Sequence, residues 1–106
     1  MVLKFEILLP LYDNDGREIE DEKIQTTYDE IVVKFSAITV DSLPLMGDWI
    51  HPETGVRYAN ERFRACWVIC DDTTFNMDYF NTLKTDLEKR FDQESILIYY
   101  VEVNII

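Results

Sequence analysis

The sequence predicts an α+β protein, a ferredoxin-like βαββαβ two-layer sandwich with two helices on one face of an antiparallel sheet. Three observations carry that expectation. Residues 2–9, "VLKFEILL", and the closing "SILIYYVEVNII" alternate with the period of two that strands show. Two stretches, from about Ile19 to Phe35 and from Thr74 to Phe91, repeat apolar residues every three and four positions, as amphipathic helices do. Between them, "GDWIHPETGVRYANERFRACWVIC" reads as two strand arms around a proline- and glycine-containing turn.

Each element has a local cause. The first strand sets Leu3, Phe5, Ile7 and Leu9 against Val2, Lys4, Glu6 and Leu8, and Pro10 marks its end. Helix one places Ile24, Tyr28, Ile31, Val32 and Phe35 on one side, and Glu20, Asp21 and Glu22 open it where the helix dipole favours acids. Residues 36–48 form an irregular approach to a strand around Pro44. The "DDTT" run stops the second hairpin arm and caps helix two, whose apolar stripe is Phe80, Leu83, Leu87 and Phe91. Right-handed crossovers through both helices put the first and third strands at the centre of the sheet. The expected core is Leu3, Phe5, Ile7, Phe63, Ala65, Trp67, Ile69, Tyr99, Val101 and the helix stripes.

At 106 residues and 47% hydrophobic, the chain is expected to form a single domain, 1–106, with its own core. Twenty-one acidic residues against ten basic give a net charge of −11, which repels nucleic-acid phosphates and anionic membranes. Only Arg57, Arg62 and Arg64 cluster. One nuclease family of this fold places an acid just after the first strand, as Asp13 stands here, but the acidic field argues against that activity. No apolar run reaches the roughly 20 residues of a membrane span, and Lys4 and Glu6 break the N-terminal run as a signal peptide. A cytoplasmic location is expected, with Cys66 and Cys70 as reduced thiols too far apart along one strand for a disulfide.

The stretches "ILLPLYDNDG", "GDWIHPETG" and "RFDQESILIYYVEVNII" resemble a family of small uncharacterised bacterial proteins. That resemblance implies the ferredoxin-like fold and assigns no activity or catalytic residue.

"LYDNDGREIEDE" has the outline of a calcium loop. With Gly16 at the sixth position, Asp13, Asp15 and Glu22 take ligand positions, but the first falls on Leu11 and a strand replaces the entering helix. A solvated turn is expected, and no metal or cofactor. His51 is the only histidine and sits before the Pro52 turn, where an exposed side chain is expected. In the polar half of the second sheet face stand Lys4, Glu6, Arg64, Glu102 and Asn104. The other half, Cys66, Val68, Ile96, Ile98 and Tyr100, reads as an exposed apolar patch, the expected interface. The leading expectation is therefore a non-enzymatic homodimeric module using that patch for a protein partner or small ligand. The alternative is a small enzyme of the dimeric α+β-barrel type with a cavity for an apolar molecule, for which His51, Arg64 and Trp49 are the candidate residues.

Overall fold

The computed structural model describes residues 1–106 and follows the predicted order of elements. β1 (Val2–Pro10) leads through an acidic turn to α1 (Asp21–Phe35). Then come β2 (Thr39–Val40), β3 (Leu45–Ile50), β4 (Arg57–Asp71), α2 (Thr74–Arg90) and β5 (Ile98–Val103). β1 pairs antiparallel with β4 on one side and β5 on the other, and β2 and β3 both pair with β4. Taken together, β2 and β3 are the second ferredoxin-like strand, broken in the middle. The expected fold class is what the structure contains. No helix is long and apolar enough to cross a membrane.

The break has a simple register cause. Val40 pairs with Cys66 and Leu45 with Phe63, so five steps along the broken strand oppose three along β4. The surplus residues bulge outward at Asp41–Pro44, where Asp41 Oδ1 accepts the Leu43 N–H at 3.1 Å.

Leu3, Phe5, Ile7 and Leu9 of β1 are all buried under the helices. Phe5 stacks on Phe80 of α2 with ring centroids 3.9 Å apart, and Phe80 in turn stacks on Phe35 of α1 at 5.3 Å. One aromatic column thus runs through sheet and both helices. Thr27 is fully buried on α1; its hydroxyl donates to the Lys23 carbonyl and accepts from Arg90 Nη1 at 2.9 Å. Arg90 Nη2 also donates to Glu30, so the end of α2 is tied to the middle of α1. Thr73 caps α2 by accepting the Asn76 N–H, the cap that "DDTT" predicts.

The sequence reading assigned the two faces of β4 and β5 the wrong way round. Phe5 pairs with Val68 and Tyr100, and Ile7 with Cys66 and Ile98, so these residues share the helix-facing side with β1's core residues. Cys66, Val68 and Ile96 are buried, Ile98 packs against the core, and only Tyr100 of that set is largely exposed. The expected interface patch is therefore the floor of the core. By register the open side carries Phe63, Ala65, Trp67, Ile69, Tyr99 and Val101 instead, and of these only Ala65 is buried. Size explains the reversal. The helices project Phe80, Phe91, Phe35 and Tyr28 toward the sheet, and only small residues such as Cys66 and Val68 leave room beneath those rings.

The faces are tested by a pair of substitutions in adjacent positions. Val68→Asp buries an unpaired carboxylate and is expected to abolish the cooperative urea transition. Ile69→Asp, on the open side, is expected to retain one. Truncating the column with Phe80→Ala is expected to cost about 3–5 kcal/mol in the same assay.

Candidate functional site

Breaking the second strand opens a cleft of about 550 Å³ between α1, the residue after β1 and the bulge. Its volume is that of a small-molecule pocket. Asp21, Glu22, Ile24, Gln25 and Tyr28 line it from α1, Leu11 from the loop, Val40, Asp41 and Ser42 from the bulge, and Arg64 from β4. The helical residues recur at three and four positions, which brings them to one wall. Arg64 faces the helices because it pairs with Leu9, a core residue. Its Nη1 donates to the carbonyls of Asp41 at 3.3 Å and Ser42 at 2.9 Å, groups that the broken strand leaves without ladder partners. Its other guanidinium donors make no hydrogen bond within the protein.

Tyr28 sits at the inner end of this arrangement. Its hydroxyl is buried and has no hydrogen-bond partner in the protein. Burial, reinforced by Cys66 and opposed by Arg64, pushes its pKa up to about 12. At neutral pH the phenol is therefore protonated, a donor and not a base. A carbonyl, carboxylate or ring nitrogen of a ligand would satisfy it.

The three residues proposed for an enzyme do not meet. Arg64 lies in the cleft, whereas Trp49 and His51 belong to the far end of the β3–β4 hairpin. His51 is 8% exposed, not the open side chain expected before a proline turn. Nδ1 accepts the N–H groups of Glu53 at 3.1 Å and Thr54 at 3.3 Å, which places the proton of the neutral ring on Nε2. That nitrogen contacts Glu94 Oε1 at 2.7 Å. Gly55, at φ +69°, returns its N–H to the His51 carbonyl. Trp49 stacks on Tyr58 at 4.7 Å and leans on the His51 ring. Both nitrogens are engaged in holding a turn and clasping it to the loop before β5, which is a structural role.

The acidic stretch forms a turn. Asp13 Oδ1 accepts the N–H groups of Asp15 and Arg17, both at 2.9 Å, and Gly16 adopts φ +80°. Tyr12 bridges to Glu18, closing a small loop in which Asp15 is exposed, while Glu22 lies beyond it in the first turn of α1, so the three carboxylates do not converge. Cys66 is an inert thiol: burial, helped by Glu6, pushes it up to about 12. A second depression, between the outer sides of the helices, holds Glu30, Lys34, Phe75, Tyr79 and Arg90. Its cations are already engaged, Arg90 with Glu30 and Lys34 over the Phe75 ring, so it offers a ligand less than the cleft does.

No family model and no curated protein matches the chain. The family suggested by the sequence is therefore not assigned, and the resemblance stands at the level of the fold. Among solved structures, a phage SAM lyase in complex with S-methyl-5'-thioadenosine superimposes with a TM-score of 0.70 at 15% identity, over 95% of this chain and 81% of that one. The expectation of a non-enzymatic module is corrected by this likeness, because the neighbour built on the same fold is an enzyme. Tyr28 escaped the sequence reading, which saw only a core residue at helical spacing.

Thiol labelling checks this environment. In the native chain, the half-buried Cys70 is expected to react with an aromatic disulfide reagent well before Cys66, and both only slowly at neutral pH because burial raises each. Equal rates would contradict the placement of Cys66 beneath the helices. Separately, His51→Ala is expected to expose residues 52–56 to limited proteolysis while the far-UV spectrum stays native.

Proposed function

We propose that this chain is a small enzyme that binds a sulfonium nucleoside of the S-adenosylmethionine class in the Tyr28–Arg64 cleft and cleaves it as a lyase. The observation that carries the reading is a cleft of ligand size in which acids, an arginine and an unpartnered buried hydroxyl converge. The fold likeness to a lyase for such a substrate supports it.

The chemistry suits these residues. The substrate bears a permanent positive charge on sulfur and an amino-acid carboxylate. Asp21, Glu22 and Asp41 attract the cation, as does the −11 field of the whole chain. Arg64 offers its free donors to the carboxylate. Tyr28 donates its hydroxyl at the inner end. Release of S-methyl-5'-thioadenosine breaks the bond between sulfur and the γ-carbon of the amino-acid chain and leaves the electron pair on sulfur. A carboxylate oxygen of the same substrate bonds to that carbon and closes a lactone, with no proton gained or lost. The leaving thioether is neutral, so no general acid has to protonate it. A site without histidine is sufficient, and the work falls to binding, orientation and exclusion of water. Charge disappears on the way to the transition state, so a site drier than bulk water favours the step. The cleft expected for an apolar molecule is replaced in this reading by one for a charged substrate.

The test is direct. Purified protein incubated with S-adenosylmethionine is expected to accumulate S-methyl-5'-thioadenosine, read by liquid chromatography and mass spectrometry. Arg64→Met and Tyr28→Phe are expected to reduce turnover by about tenfold or more, the loss of one charged or buried hydrogen bond. His51→Gln should leave it near the native rate. No product from the native chain would sink the reading, and full activity in both cleft variants would move the site elsewhere.

A further inference from the structure

The side of the sheet turned away from the helices has no layer of this chain upon it. Ile69, Tyr99 and Val101 are each 40–48% exposed there, beside the half-buried Phe63 and Trp67. Only two charged side chains stand at its centre, and they are matched. Lys4 Nζ lies 3.6 Å from Glu6 Oε1 and 4.6 Å above the Trp67 ring, and the Tyr99 hydroxyl donates to Glu6.

We propose that this face receives a second copy of the chain, sheet against sheet, in a twofold dimer. Charge selects the occupant. The chain carries −11, so copies repel one another through most of their surface. The open sheet face is where that repulsion is least, because Lys4 and Glu6 cancel at its centre and the further acid Asp71 stands at its margin beside Val2. A basic partner would be drawn to the acidic surface instead. Symmetry selects it further. An isologous interface brings the same patch to itself, and a central Lys4–Glu6 doublet ringed by apolar groups is complementary to its own rotated image.

Size bounds the contact. Nine residues of β1, the nine of β4 beside them, six of β5 and two of β2, at about 3.3 Å by about 4.8 Å each, project roughly 410 Å². That is about half of the roughly 800 Å² per partner that a standard interface buries. Packing of large apolar side chains would then close over Trp67 and Ile69, which explains why the bulky residues of β4 lie on this side and the small ones beneath the helices.

The proposal does not rest on the lyase reading, and its test does not measure turnover. Size-exclusion chromatography with light scattering is expected to give twice the 12.6 kDa chain mass for the native protein, unchanged in molar salt because the contact is apolar. Ile69→Asp and Val101→Asp, checked for native far-UV spectra, are expected to elute as monomers. Val33→Asp, on the outer side of α1, should stay dimeric. A monomeric native chain, a larger assembly, a dimer that salt dissolves, or one that survives both sheet substitutions would each overturn it.

Discussion

The Phe5–Phe80–Phe35 column is the interaction on which the other features depend. It joins the central strand to both helices within one line of contact, and it fixes how far above the sheet the helices ride. Aromatic residues contributed by three elements fill the layer between sheet and helices. What is left for β4 is space for Cys66 and Val68, and large neighbours are driven to the other side. The face that stays open, and the orientation of Arg64 under α1, both follow from that allocation of volume.

Polar ties finish what the column begins. Arg90 reaches from α2 to Thr27 and Glu30, and Lys84 with Glu88 holds the strand that follows. Glu88 accepts the Ile96 N–H at 3.1 Å while Lys84 donates to the Ile96 carbonyl. Partial burial works against the Glu88 carboxylate, but the Lys84 hydrogen bond, the Ile96 N–H and the Lys84 charge outweigh it and hold its pKa below the ordinary value. The sign follows: this tie is complete above the ordinary carboxylate range and weakens as pH falls through the lowered folded value. Acid therefore loosens the entry to β5 before it touches the apolar column.

Periodicity made the order of elements, both helices and the HPETG turn legible in the sequence. It could not choose between the two faces of β4, since Phe63, Ala65, Trp67 and Ile69 alternate as cleanly as Arg64, Cys66, Val68 and Cys70. Alternation is symmetric between the two sets, and the bulk supplied by the helices decides which of them lies beneath. Arg64 was legible as a candidate, though Trp49 and His51 were grouped with it only by nearness in sequence. The His51 clasp needs Glu94, forty-three residues away. Tyr28 was visible only as a helix-stripe residue, because an unpartnered hydroxyl is a property of packing.

β4 is stiff at one end and supple at the other. Residues 63–71 lie against β1, with the column above them. Residues 57–61 have only β3 beside them, a two-stranded ribbon that would be marginal alone. Asp48, which takes Arg57 and the Asn60 N–H, and the His51–Glu94 clasp hold that ribbon from within and at its tip. In the language of amide exchange, one strand spans the range from global unfolding to local opening. Arg64 stands one residue inside the stiff half, so the ribbon beyond it can open and close without moving the guanidinium.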